Sequence, residues 1–236
     1  MRVLITRPRE DAGPLAERLA GMGVDSLIEP LLEIRYRPAA GLDLDGVQAL
    51  LVTSANGARA LARATDRRDL PVYAVGDGSA RAAGAAGFAR VESAAGDVEA
   101  LAALVVARLD PGAGRVVHVA GSAVAGDLAG RLAAAGFAAE RAVLYEARQA
   151  RALSAACVAA LRAGGLDAVA LFSPRTAAGF VRLAREAGVA EACAGLEALC
   201  LSEAVAERAA TLAWRRVRVA RRPDLDSFLD LLRTTD

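Results

Sequence analysis

The feature that most limits what this chain can fold into is that it repeats itself. Arg2-Val3-Leu4-Ile5-Thr6-Arg7-Pro8, with Leu15-Ala16-Glu17-Arg18-Leu19 and Gly23 downstream, is echoed 113 residues later by Arg115-Val116-Val117-His118-Val119-Ala120-Gly121, Leu128-Ala129-Gly130-Arg131-Leu132 and Gly136. A second echo, 119 residues apart, sets Leu50-Leu51-Val52-Thr53-Ser54-Ala55-Asn56 against Val169-Ala170-Leu171-Phe172-Ser173-Pro174-Arg175. A third pairs Tyr73-Ala74-Val75-Gly76-Asp77-Gly78-Ser79-Ala80 with Leu199-Cys200-Leu201-Ser202-Glu203-Ala204-Val205-Ala206. Each reads as a buried strand, a turn of small residues and a helix start. The offsets are too long for a solenoid period. They describe two similar α/β domains facing one another, with the strand-end loops around a shared cleft.

The order of elements refines this into an insertion. A strand at 3–6 feeds a helix from 8 to 21, and 25–31 reads as a second strand. Too little follows there to complete a sheet. Strands near 48–53, 72–75, 89–92 and 115–119, with helices between them, form a series of their own. After residue 153 come helix 154–163, strand 167–172, helix 175–187, strand 197–201, helix 203–213, strand 216–219 and a last helix from Asp224. Strands alternating with helices argue for parallel sheets covered on both faces. The fold class is therefore α/β: two similar three-layer α/β/α domains with parallel sheets. Residues 1–34 and 150–236 form a discontinuous domain, and 38–145 form the inserted one. The crossings, about 32–37 and 141–149, alternate in polarity. A two-stranded antiparallel linker satisfies their backbone groups, and closure of the domains about it is expected.

Composition removes most chemistries. All 29 basic residues are arginine, so Schiff-base lysines, lysine general bases and the phosphate-loop lysine are absent together. The one histidine, His118, lies inside a predicted strand and reads as a fold histidine; there is no GxSxG elbow for it to serve. Cys157, Cys193 and Cys200 have no CxxC spacing and sit in apolar runs, which marks them as reduced structural residues and leaves no metal set. A net charge of +1 points to neither nucleic acid nor membrane as partner. No apolar stretch approaches the roughly 20 residues of a bilayer span, and the N-terminus runs into a strand rather than a signal peptide. A cytoplasmic monomer is expected.

Open parallel sheets bind ligands beyond the carboxyl ends of their strands, where helix N-termini point amides outward. Here those ends are Thr6-Arg7, Thr53-Ser54-Ala55-Asn56, Gly76-Asp77-Gly78-Ser79, Gly121-Ser122, Ser173-Pro174-Arg175 and Ser202. Such small, hydroxyl-rich loops suit an anionic ligand held by amides and a few arginines, not catalysis by paired carboxylates. Each Ser or Asn alone is an ordinary helix cap; recurrence in both halves is what singles them out. Gly76-Asp77-Gly78 begins like a dinucleotide fingerprint, but Arg81 replaces the third glycine.

With these residues in view the chain resembles the uroporphyrinogen-III synthase family. The resemblance runs through Leu4-Ile5-Thr6-Arg7-Pro8, Glu29-Pro30-Leu31-Leu32-Glu33-Ile34, Val52-Thr53-Ser54-Ala55-Asn56-Gly57, Ala74-Val75-Gly76, Val143-Leu144-Tyr145 and Phe172-Ser173-Pro174. No single motif is sharp; their order and spacing carry it. It implies a lyase of haem and tetrapyrrole biosynthesis that needs no cofactor or metal. The substrate implied is hydroxymethylbilane, a linear tetrapyrrole closed with loss of water and inversion of its last pyrrole ring. The resemblance also implies Tyr145 as the catalytic residue, its phenol donating to the leaving hydroxyl. Thr6, Arg7, Ser54, Asn56, Gly76, Ser79, Gly121, Ser122, Ser173, Arg175 and Ser202 would bind substrate. The chain departs from the family at Ser202-Glu203-Ala204-Val205-Ala206, which lacks the glycine and the downstream hydroxyl, and this puts Ser202's role in doubt. The competing reading is a two-domain α/β protein that binds a small anion such as a tetrapyrrole without turning it over. A nucleotide-dependent transferase is disfavoured, because lysine and phosphate loop are both missing.

Overall fold

A computed structural model describes residues 1–37, 42–123 and 126–233. The chain divides into two compact units, Met1–Glu33 with Arg148–Asp236, and Ile34–Ala147. The first four residues assigned to the inserted domain by sequence, 38–41, lie outside the described residues.

The discontinuous unit is built on a five-stranded sheet. Its strands are β1 (Arg2–Ile5), β2 (Asp25–Ile28), β9 (Ala168–Leu171), β10 (Glu197–Cys200) and β11 (Arg216–Val219), in the order β11-β10-β9-β1-β2, and every pairing is parallel. Alternate residues of each strand face opposite sides, so two cores form. Leu4, Val169, Leu171, Ala198 and Cys200 face one of them. It is covered by α6 (Ala155–Arg162), α7 (Pro174–Glu186) and α8 (Glu203–Ala209) through Cys157, Phe180, Leu183 and Val205. Val3, Ile5, Ala168, Ala170 and Leu199 face the other, under α1 (Arg9–Ala20) and α9 (Leu225–Arg233) through Leu15, Leu19 and Phe228. Burying each such large side chain contributes about 2 kcal/mol relative to exposure.

The inserted unit carries a six-stranded sheet. Its strands are β3 (Leu32–Tyr36), β4 (Val47–Val52), β5 (Val72–Ala74), β6 (Val91–Ser93), β7 (Arg115–Gly121) and β8 (Ala139–Gln149), in the order β3-β8-β7-β4-β5-β6. Strands β8 through β6 are parallel neighbours. β3 joins β8 with reversed direction: Arg37 N–H donates to Leu144 O, while Ala150 N–H donates to Leu31 O. The division between units falls within β3 and β8. One face packs on α2 (Ala55–Ala64) and α3 (Asp77–Ala85) through Leu50, Val52, Val117, Leu61 and Ala83. The other packs on α4 (Val98–Arg108) and α5 (Leu128–Ala134) through Leu51, Tyr73, Val116, Leu101 and Leu132.

The three echoes occupy equivalent strands. Without β3, the second sheet has the order of the first, with β7, β8, β4, β5 and β6 standing for β1, β2, β9, β10 and β11. Register agrees through the middle of both sheets. Leu4 opposite Val169 and Leu27 in one sheet corresponds to Val117 opposite Leu50 and Glu140 in the other, and Ala170 opposite Leu199 corresponds to Leu51 opposite Tyr73. The chain enters the two sheets at different points of one shared topology.

Some elements are shorter than periodicity suggests, for local reasons. β2 stops at Ile28: Glu29 N–H still donates to Ile5 O at 2.9 Å, but Pro30 has no N–H to continue the ladder, and the buried Glu29 carboxylate accepts from Ser154 N at 2.7 Å and Ser154 Oγ at 2.5 Å. α8 ends at Ala209, whose carbonyl accepts from Trp214 Nε1 at 2.8 Å.

Candidate active site

In the inserted unit the end of β4 turns directly into α2. Ser54 is the N-cap, and its Oγ accepts from Gly57 N at 3.0 Å, satisfying one of the amides a helix start leaves open. The same oxygen lies 2.9 Å from the hydroxyl of Tyr145, which comes from β8. Tyr145 is only 9% exposed and belongs to the core under α2.

A β-bulge aims this phenol. β7 and β8 pair regularly from Val116 opposite Ala139 to Ala120 opposite Val143; the next pair is Gly121 opposite Tyr145, one residue of β8 having been skipped. Ala142 and the skipped residue Leu144 lie in the α2 core, and so do Tyr145 and Ala147 after it. In unbroken alternation Tyr145 would point to the opposite core, away from Ser54. Gly121 then lies under the ring: a Cβ there would stand 2.8 Å from Tyr145 Cζ and 2.9 Å from Cε2. Arg141, earlier on β8, clamps the loop by donating from Nη2 to Gly121 O at 2.7 Å and Ser122 O at 3.0 Å. Ser122 is exposed, and its N–H donates to Tyr145 O at 2.9 Å.

His118 lies on the other face of this sheet, 5% exposed, with Nε2 3.2 Å from Thr53 Oγ1. Burial, and secondarily the charge of Arg141, depress its pKa to about 4, so it is neutral near pH 7. It is a hydrogen-bonded fold histidine, as its strand position indicates. Of the other expected residues in this unit, Asn56 accepts from Arg59 Nη1 at 3.1 Å on Oδ1. Gly76 is the extended N-cap of α3 and has no side chain to cap it. Ser79 is buried in the first turn of that helix. Asp77 accepts from Ser93 Oγ at 2.7 Å.

In the discontinuous unit Ser173 repeats the Ser54 geometry: as N-cap of α7 it accepts from Thr176 N at 3.1 Å, and its Oγ is 2.8 Å from Thr176 Oγ1. Arg175 is exposed in the first turn of the same helix. Thr6 is fully buried, and its hydroxyl donates to Ala170 O at 2.6 Å, tying β1 to β9. Arg7 pairs with Asp11 at 3.3 Å and stacks 4.7 Å from the centre of the Phe172 ring. Ser202 caps α8 through its backbone conformation, but its side chain makes no cap bond. Of the twelve residues expected at the site from sequence, Ser54, Gly121, Ser122 and Tyr145 contact one another. The sequence reading passed over Gly57 and Arg141, whose contacts depend on the bulge and the cap.

All three cysteines are free and buried. Desolvation pushes Cys157 and Cys200 up to about 12 and Cys193 up to about 11, so all are inert as thiolates. Among the described residues no group of three or more His, Cys, Asp or Glu is placed to hold a metal ion, and no helix is long and apolar enough to cross a membrane.

The fold and these strand ends define a class: two topologically matched α/β units whose strands run into serine-capped helices, one of them holding a phenol against its capping serine. A family model described as uroporphyrinogen-III synthase HemD matches residues 13–230, and the chain belongs to that family. Among solved structures it is similar to a uroporphyrinogen-III synthetase from Helicobacter pylori (18% identity, TM-score 0.66, covering 99% of each chain). It is also similar to a mutant uroporphyrinogen III synthase from Thermus thermophilus (19% identity, TM-score 0.56, covering 99% of this chain and 97% of that one). At such identities the likeness concerns the fold. A search of curated proteins finds no match.

Proposed function

We propose that this protein is a uroporphyrinogen-III synthase acting as a cyclising hydro-lyase without a cofactor, with hydroxymethylbilane as substrate and Tyr145 as its catalytic residue. Family membership supports the reaction, and the phenol held 2.9 Å from Ser54 Oγ is the observation that carries the assignment to Tyr145. Loss of the terminal hydroxyl breaks a C–O bond, whose electron pair leaves with oxygen. A phenol proton converts that oxygen to water. The resulting azafulvene is attacked by the substituted carbon of the last pyrrole ring, giving a spiro intermediate. The older bond from that carbon to the neighbouring ring's methylene then breaks, and the free α carbon of the last ring bonds to the released methylene, which inverts the ring. The proton released when that ring recovers aromaticity restores the phenol. In free solution the azafulvene closes without inversion, so the task is chiefly one of holding geometry.

The acetate and propionate carboxylates of the substrate suit helix-start amides near Ser54, Asn56, Gly76, Ser79, Ser173 and Ser202, the hydroxyl of the exposed Ser122, and the guanidinium groups of Arg7 and Arg175. Thr6 would serve this set only through its backbone position, since its hydroxyl is committed to Ala170 O. A cytoplasmic monomer is part of the same reading. The test is to expose freshly generated hydroxymethylbilane to the purified protein, oxidise the products and separate type I from type III porphyrin. Predominance of type III is expected. Type I at the rate of the blank, with tetrapyrrole still bound, would establish the non-catalytic binder instead.

A further inference from the structure

We infer that Gly121 is a positioning residue for Tyr145: the absent side chain at the end of β7 is what lets the phenol ring settle against the backbone and reach Ser54. Three observations meet here. A Cβ on Gly121 would stand 2.8 Å from Cζ, 2.9 Å from Cε2 and 3.1 Å from the hydroxyl oxygen of Tyr145, the first two closer than real Cβ atoms approach. The bulge on β8 sets Tyr145 directly opposite Gly121 and no other residue of β7. The backbone at Gly121 does not have the positive φ found at Gly114, Gly126 or Gly136, so nothing in its conformation asks for glycine. Room for the ring is the remaining reason. Arg141 holds the Gly121 and Ser122 carbonyls from the other side, so the loop cannot retreat without losing both bonds.

The second end of the phenol is fixed in the same way. A Cβ on Gly57 would lie 3.1 Å from Val119 O, so glycine there lets the start of α2 close on β7 and carry Ser54 with it. Gly57 N–H donates to Ser54 Oγ, which leaves the Ser54 hydroxyl proton available for Tyr145 and the Tyr145 proton available for substrate. Gly121 supports one side of this chain of bonds and the α2 start the other. The substrate-binding role that the family resemblance suggests for Gly121 becomes an indirect one, exerted through the ring.

This inference rests on the assignment of Tyr145 to catalysis, and the experiment separates the two. Gly121→Ala, Tyr145→Phe and the double variant are assayed for type III formation. Gly121→Ala is expected to lower kcat about tenfold or more with KM within about twofold, and to cause no further loss in the Tyr145→Phe background. An equal loss in both backgrounds, or a rise in KM alone, would show that Gly121 meets the substrate directly and overturn the inference. Independently of activity, protein labelled with 3-fluorotyrosine gives one 19F resonance for each of its three tyrosines, that of Tyr145 being assigned by its absence in Tyr145→Phe. That resonance should shift in Gly121→Ala; an unmoved signal rejects the inference whatever the turnover. Wild-type protein that forms no type III product defeats the catalytic reading and leaves the spectroscopic test standing. If Gly121→Ala does not fold, Gly121→Ala/Tyr145→Leu should regain the fold by removing the ring. Failure to regain it would mean that glycine serves the backbone.

Discussion

Ser54 and Ser173 stand at the same place in the two units, and what separates them is the second partner of each hydroxyl. Both cap the helix that follows the central strand, and both accept from the third amide of that helix. Ser173 spends its remaining bond on Thr176 in its own helix turn. Ser54 spends it on Tyr145, 91 residues away. The repeated fold thus supplies a cap in both units, and the bulged strand of one unit turns that cap into a support for a phenol. On the opposite sheet face the same contrast recurs. Ile5 and Phe172 sit together in one apolar core, whereas the corresponding His118 and Thr53 form a polar contact.

The largest expected effect tests that second contrast. His118 titrates at about 4 in the folded protein against 6.5 for the free side chain, so between those values the unfolded chain binds more protons. Stability should be complete above pH 6.5 and fall as pH drops toward 4, by about 3 kcal/mol in total. His118→Gln keeps a hydrogen-bonding group beside Thr53 and cannot titrate. Urea unfolding at pH 7, 5 and 4 should therefore show a shallower acid loss in the variant. Equal slopes would mean that the imidazole reaches solvent before the fold opens.

Next comes the phenol. Tyr145→Phe should lower turnover tenfold or more, while the lost hydrogen bond to Ser54 costs about 1 kcal/mol of stability. Near-wild-type type III formation by the purified variant would falsify the catalytic assignment.

The caps themselves give smaller, matched effects. Ser54→Ala and Ser173→Ala each remove one N-cap and should each cost about 1 kcal/mol in chemical denaturation. Their kinetics should diverge: Ser54→Ala should reduce kcat because it frees the phenol, and Ser173→Ala should act on KM. A kcat loss of the same size in both would erase the distinction drawn between the two serines.

How much of this was legible follows from the range of each interaction. Strand positions and the matching of the two sheets could be read because they depend on local apolar runs, which is why Leu4 and Val117 were aligned before any register was known. Ser54 was singled out by its place at a strand end and Tyr145 by the family resemblance. Their contact could not come from alternation, because the bulge between Val143 and Tyr145 reverses it, and no residue type announces a bulge. Thr6 shows the reverse failure. A hydroxyl at a strand end invites a ligand-binding reading, but burial decides whether it meets solvent or a neighbouring carbonyl, and here Ala170 O takes it.

The smallest effect falls where the repeat has worn furthest. Ser202 occupies the N-cap of α8, equivalent to Gly76 on α3, and neither provides a side-chain cap bond. Removing the Ser202 hydroxyl therefore breaks no bond of the kind lost at Ser54 or Ser173. Ser202→Ala should change stability by less than about 0.5 kcal/mol in the same denaturation experiment. A loss near 1 kcal/mol would mean that the serine caps α8 in solution, placing this loop with the Ser54 type rather than with Gly76. With stability unchanged, any rise in KM for hydroxymethylbilane could be assigned to the hydroxyl itself. That result would remove the doubt that the missing glycine and downstream hydroxyl of this segment cast on Ser202.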